Sequence, residues 1–136
     1  MHEKQIEIRW RDMDAFKHVN NAVYATYLEE CRDELVEDVL RDVGDGWDFV
    51  LARVAIDYRR ELTQDDGAVV ASCAVARVGT SSVTLHEEIR TLAGELATEA
   101  EAVIVARDRT TGASRPLTDA ERHAFEHHAG EATEPP

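Results

Sequence analysis

The stretch from Asn20 to Gly46, NNAVYATYLEECRDELVEDVLRDVGDG, sets the architecture of the chain. Tyr24, Tyr27, Leu28, Cys31, Leu35, Val39 and Val43 recur three or four residues apart, the stripe that an α-helix buries against a core. Asn20 or Asn21 is a natural N-cap, and Gly44 offers the left-handed backbone on which helices stop. The spacing predicts a helix of about 20 residues, well beyond the usual length of about 11–12, and therefore the central element.

On both sides of this helix the period changes to two. Upstream, Ile6, Ile8 and Trp10 alternate with Gln5, Glu7 and Arg9, which predicts a strand over 5–10 with one buried face. Downstream, Val50, Ala52, Val54, Ile56 and Tyr58 alternate with Leu51, Arg53, Ala55, Asp57 and Arg59. Asp65-Asp66-Gly67 reads as a turn, 68–78 as a Val- and Ala-rich strand ended by Gly79, and Val83, Leu85 and Ile89 mark a third run. Ala93-Gly94 is a reversal before a fourth run at 97–107. Short turns between consecutive strands demand antiparallel pairing, so these four are expected to form a meander. With the strand ahead of the helix, they predict an α+β fold of about five antiparallel strands around one long helix. From Pro116 onward the chain is acidic and Ala-rich. The expectation there is a domain of 1–117 followed, at 118–136, by a short helix and a frayed tail.

At 136 residues, with 43% hydrophobic and 32% charged side chains, the chain can build one core, and disorder of the whole is excluded. No apolar run approaches the roughly 20 residues a bilayer requires, and no secretory pattern opens the chain. Cys31 and Cys73 belong to no CxxC or metal-type pattern, so the expected compartment is the cytoplasm. The net charge of −13 excludes a nucleic-acid backbone as the main partner. Residues 49–115 carry only −2, against −7 before them and −4 after them, so an anionic ligand is expected to find its counter-charge there.

Chemistry concentrates between the first strand and the helix, where Asp14, His18, Asn20 and Asn21 stand together. A helix start presents unpaired N–H groups and the positive end of a dipole, which polarise a carbonyl and stabilise an oxyanion. A carboxylate opposite them can act as general base or as nucleophile toward an acyl group. Asp and Asn also serve as plain caps and turn formers, and spacing alone leaves both roles open. His123, His127 and His128 include an i, i+4 pair without a fixed third ligand, so no metal is expected. Cys31 on the helix stripe and Cys73 in an apolar strand read as small core residues.

The run RWRDMDAFKHVNNAVYATYLEECR, Arg9 to Arg32, closely resembles the opening of hotdog-fold acyl thioesterases. The nearest group is the 4-hydroxybenzoyl-CoA thioesterase type, with plant acyl-carrier-protein thioesterases more distant. The family pattern D-x-D-x-x-G-H-V-x-N-x-x-Y-x-x-Y-x-E-x-x-R runs loosely along that stretch. IDYR at Ile56–Arg59 resembles the family's second strand, and VGTSSVTL at Val78–Leu85 its third turn and strand. The resemblance implies that Asp14 attacks the thioester or activates water, while the N–H at Asn21 holds the thioester oxygen. His18 matches the histidine of the plant enzymes and is implied here to orient the loop. Implied substrate contacts are Tyr24, Glu29 (or its neighbour Glu30), Arg59, Arg77, Gly79, Ser81 and Ser82; Asp12 is structural.

Four positions depart from the pattern. Lys17 stands where many members have Gly, and Phe16 where the plant enzymes have Asn. Thr80 and Ser81 stand where several members carry Arg or Lys for the phosphates of coenzyme A. Phosphate binding is therefore expected to rest on Arg53, Arg59, Arg60, Arg77 or Arg109. The resemblance implies an acyl-CoA thioesterase without metal or redox cofactor. It also implies a homodimer or homotetramer that pairs sheets across subunits and builds each site from two chains. A carrier-protein-bound acyl substrate and a non-catalytic acyl-binding role are the alternatives.

Overall fold

Tyr24, Tyr27, Leu28, Cys31, Leu35 and Val36 are all buried on one face of α1 (Asn21–Val39), the 19-residue helix at the centre of the protein. The structure is a computed structural model that describes residues 1–133. Around α1 run β1 (His2–Glu7), β2 (Phe49–Tyr58), β3 (Ala68–Val78), β4 (Ser82–Thr91) and β5 (Leu96–Ala106), followed by α2 (Asp119–Thr133). The five strands form one antiparallel sheet closed on the helix, the hotdog arrangement of an α+β fold.

Strand order corrects the expected meander. The order is β1-β3-β4-β5-β2, so only β3, β4 and β5 follow one another, and β2 pairs with β5 at the far edge. Residues 59–67 therefore cross the end of the sheet, past β5 and β4, to reach β3, a lateral distance of roughly 14 Å at about 4.8 Å per strand. The crossing is pinned under the helix start. Leu62, fully buried, accepts from the Val19 N–H at 2.8 Å and donates its own N–H to the Tyr24 hydroxyl at 3.0 Å. Gly67, at φ +76°, turns the chain into β3.

The first strand also differs. It ends at Glu7 rather than at residue 10, and Trp10, expected on the buried face, is 79% exposed. The cause is Asp12, which is buried and draws the chain into a 3-10 turn over Trp10–Asp12. Its carboxylate accepts from the Arg9 N–H at 2.9 Å and the Tyr27 hydroxyl at 2.7 Å. Burial works to raise the Asp12 pKa, but the Tyr27 and Arg9 donors outweigh it and hold it below the ordinary carboxylate value. The structural role expected for Asp12 is thereby explained. At its other end α1 stops at Val39, one turn before Gly44.

β2 does not alternate between buried and exposed. It is exposed through most of its length, with Leu51, Val54 and Tyr58 at the surface and one side of its backbone ladder unpaired. α2 begins on a capping box, in which the Thr118 hydroxyl accepts from the Glu121 N–H and the Glu121 carboxylate accepts from the Thr118 N–H. The helix is 15 residues long and sets Phe125 edge-on against Phe49, ring centres 5.6 Å apart, inside the core. The frayed tail expected at the C-terminus falls on residues 134–136, outside the described residues.

One ion pair crosses the core. Arg32 of α1, 5% exposed, forks onto Glu87 of β4, 0% exposed, through hydrogen bonds of 2.8 and 2.9 Å. Cys73 donates to the same carboxylate at 3.5 Å. Burial pushes the Cys31 thiol up to about 12 and the Cys73 thiol higher still, so both remain protonated and unreactive.

Candidate active site

Asp14 is held by the loop it opens. Its Oδ1 accepts from the N–H groups of Phe16 at 2.9 Å and His18 at 3.2 Å. The Asp14 N–H donates to the His18 carbonyl at 2.8 Å, and the Lys17 N–H to the Asp14 carbonyl at 3.1 Å. So tight a loop places Lys17 at φ +67°, the region glycine enters without steric cost. Among the described residues, no donor reaches Oδ2. The carboxylate is thus oriented through one oxygen and available through the other.

The helix start lies directly after this loop. Asn20 caps it, its side-chain oxygen accepting from the Ala22 N–H at 2.9 Å, and its own N–H donates to the Asp12 carbonyl. Asn21 is the first helical residue, and its N–H finds no acceptor among the described residues. The Asn21 carbonyl accepts from the Tyr58 hydroxyl at 3.1 Å, which ties the end of the edge strand to the helix start. His18 points away toward Glu61, Nε2 to Oε2 3.3 Å. A half-buried carboxylate can activate water or attack an acyl carbon, and an unsatisfied helix N–H can hold a developing oxyanion. Asp14 also lines a cleft of about 500 Å³ with Trp10, Arg11, Met13, Lys17, Thr63, Gln64 and Asp65.

The other expected contacts are scattered. Tyr24 is buried with its hydroxyl on Leu62 and its ring edge-on to Tyr58, 5.1 Å between centres, so it supports the crossing and offers no open surface. Glu29 is exposed on α1 and lines a second cleft, of about 290 Å³, with Arg32, Trp47, Phe49 and Leu51. Arg59 sits between Asp57, at 3.8 Å, and Glu99, at 3.6 Å. Gly79, Ser81 and Ser82 form the β3–β4 turn, where the Gly79 N–H meets the Ser82 carbonyl at 2.7 Å. Arg122 of α2 donates to the Gly79 carbonyl at 2.8 Å. A side chain at Gly79 would meet Ser82 Oγ at 2.8 Å, so the Ser82 hydroxyl would have to shift to admit one. Arg77 and this turn lie at the far end of β3, an 11-residue strand about 33 Å long when fully extended, which starts just after the Thr63–Asp65 segment that lines the Asp14 cleft.

Most of the arginines expected to bind phosphate are engaged. Arg53 pairs with Glu101 at 3.0 Å, Arg60 with Asp66 and Glu95, and Arg109 with the Trp47 carbonyl. The C-terminal histidines form no ligand group among the described residues; the His123 and His127 rings stack, 6.4 Å between centres. The group of possible ligands that does exist, His86, Glu88 and Glu99 on the outer sheet face, is compensated by Arg90 and Arg59. Sequence reasoning passed over Tyr58, whose role depends on the unforeseen strand order, and Trp10 and Arg11, whose exposure depends on the Asp12 turn.

Five antiparallel strands on one long helix are an arrangement shared with known thioesterases. Residues 8–125 match the model of the thioesterase-like superfamily, and the chain belongs to that family. The PA2801 protein of Pseudomonas aeruginosa is similar at 31% identity, covering 90% of this chain and 96% of its own, with a TM-score of 0.79. A thioesterase from Thermus thermophilus, solved with coenzyme A and Zn, is similar at 28% identity over 95% of this chain and 94% of its own, TM-score 0.82. A predicted thioesterase from Bacillus stearothermophilus is similar at 26% identity over 93% and 95%, TM-score 0.83. No curated protein matches the chain significantly. Thioester hydrolysis is the reaction class of this protein.

Proposed function

We propose that the protein hydrolyses an acyl-CoA to the free acid and coenzyme A, with Asp14 as base or nucleophile. The observation that carries this reading is the Asp14 carboxylate, clamped through Oδ1 and open at Oδ2, in the loop that leads into α1, whose first N–H, at Asn21, has no acceptor among the described residues. As base, Oδ2 takes a proton from water, whose oxygen adds to the acyl carbon. The carbonyl oxygen becomes an oxyanion on the Asn21 N–H, and its collapse breaks the C–S bond as the thiolate is protonated. As nucleophile, the carboxylate adds to the acyl carbon, the C–S bond breaks and the thiolate leaves to be protonated, and water then cleaves the resulting anhydride to the free acid and the Asp14 carboxylate. His18 orients the loop. The coenzyme A bound by the Thermus thermophilus relative supports the choice of thiol.

The site is completed, on this reading, by a second copy of the chain. The distance between Asp14 and the Gly79–Ser82 turn is too great for one thioester group, and the exposed β2 edge with Leu51, Val54 and Tyr58 suits pairing with its own copy. Arg77, Gly79, Ser81 and Ser82 then serve the partner's Asp14, while Glu29 and Arg59 contact the substrate from their own clefts. The absence of a cation at Thr80 and Ser81 favours, as a second reading, an acyl group on a carrier protein or one bound without cleavage.

Thiol release from short, medium, long and aromatic acyl-CoAs tests the proposal. Asp14→Asn keeps an acceptor for the Phe16 and His18 N–H groups, so the fold and its melting temperature persist. Its turnover should fall by a factor of about 10² or more, the usual weight of a positioned general base. Full activity in that variant would sink the assignment of Asp14. Turnover of carrier-protein esters alone would select the second reading.

A further inference from the structure

The protein carries 15 basic side chains against 28 acidic ones, and nearly every cation is already engaged. Lys4, together with His2, falls on Glu34, and Arg9, Arg32, Arg41, Arg53, Arg59, Arg60, Arg90, Arg107, Arg115 and Arg122 all pair with carboxylates. Arg109 is bound to the Trp47 carbonyl. Among the described residues, only the basic side chains of Arg11, Lys17 and Arg77 make no hydrogen bond or ion pair. Two of these three, Arg11 and Lys17, line one cleft, and it is the cleft of Asp14.

Chance placement of two solvated cations does not account for the rest of that wall. Lys17 occupies its position at φ +67°, where a Cβ costs about 1–2 kcal/mol that glycine would avoid. Trp10, at 79% exposure, forms the neighbouring wall. Tryptophan is seldom left so open, and an exposed indole is a stacking surface for a planar ring. The opposing charge in the cleft, Asp65, is one carboxylate besides Asp14 itself.

We propose that Arg11 and Lys17 form the anion grip of the cleft that Asp14 also lines, holding a phosphate or carboxylate group of the thioester. The inference rests on the acyl-CoA reading and specifies it: the missing cations of the β3–β4 turn are replaced here, at the catalytic loop. The anion is either a phosphate of coenzyme A, with its base against Trp10, or a carboxylate on the acyl chain.

Two probes separate these sources: coenzyme A itself, followed by quenching of tryptophan fluorescence, and succinate, which carries carboxylates and no phosphate. Arg11→Gln and Lys17→Asn remove each charge, the asparagine tolerating the left-handed backbone. Arg41→Gln, whose residue pairs with Asp38 on α1, controls for net charge. Each cleft variant should weaken coenzyme A binding about five- to tenfold, the loss expected for one exposed charge-assisted contact. Its salt dependence should become shallower, while Arg41→Gln changes neither. In turnover the loss should appear in KM more than in kcat, and far less with esters of N-acetylcysteamine, which lack phosphate. Weakening of succinate binding without effect on coenzyme A assigns the grip to an acyl carboxylate. Unchanged binding of both probes in the two variants, or binding of neither probe by the wild type, overturns the proposal. Unchanged binding with acyl-CoA turnover intact refutes the grip alone. Binding that depends on Arg11 and Lys17 without turnover of any ester refutes the hydrolytic reading and leaves the grip standing.

Discussion

Replacing Glu87 by Leu would test how the core tolerates its one crossing charge. Arg32 is 5% exposed and both of its hydrogen bonds to Glu87, at 2.8 and 2.9 Å, would vanish, leaving a guanidinium enclosed by apolar residues. Removing one partner of a buried pair costs about 3–5 kcal/mol because the other charge stays desolvated. Against a total stability of about 5–15 kcal/mol, that is a large share. At roughly 3–4 °C per kcal/mol for a domain of this length, the melting temperature should fall by about 10–20 °C. Urea unfolding should show a lower midpoint at unchanged slope. The decisive comparison is Arg32→Met with Glu87→Leu. Once neither charge is buried, the desolvation penalty disappears, and stability should return to the wild-type level or exceed it. A double variant as unstable as Glu87→Leu alone would refute the reasoning, because the loss would then belong to lost packing geometry and not to a stranded charge.

The remaining predictions concern acid stability and assembly. Asp12 has a lowered pKa in the fold, so its stabilising contribution is present above the ordinary carboxylate value near 4 and is lost as pH falls through the lowered value. Tyr27→Phe removes its 2.7 Å donor, should cost about 1–3 kcal/mol at neutral pH, and should lose less between pH 5 and 3 than wild type does. Equal acid losses in thermal melts of the two proteins would contradict the assignment. Val54→Asp places a charge on the exposed β2 edge and should shift sedimentation toward the monomer, with activity falling in step. An unchanged sedimentation profile would refute pairing of copies through β2.

The helix and the sheet content were legible because each rests on local periodicity. Of the stripe, Tyr24, Tyr27, Leu28, Cys31 and Leu35 are buried while Val39 and Val43 are only partly so, and the turns at Gly67 and Gly94 lie where the sequence puts them, both at positive φ. Strand order was not legible, since alternation over 50–58 says nothing of which strand lies alongside. Trp10 continued the period of Ile6 and Ile8, and only the buried hydrogen bonds of Asp12 end the strand before it. The T-x-x-E box at Thr118–Glu121 was a readable start signal for α2. Of the site, the Asp14 loop and the helix cap follow from neighbouring residues. The cleft of Arg11 and Lys17 does not, because its far wall is the crossing segment.

The strand order also fixes a sequence of events in time. β1 waits for β3 and β2 waits for β5, while β3, β4 and β5 pair with their immediate neighbours. As the chain emerges from the ribosome, β1, α1 and β2 appear before any strand that can receive them, with the apolar face of α1 still wet. Contacts between distant segments form late, and surfaces left open meanwhile are where a nascent chain meets chaperones. The strands in the first half of this protein have no strand partner until the second half arrives.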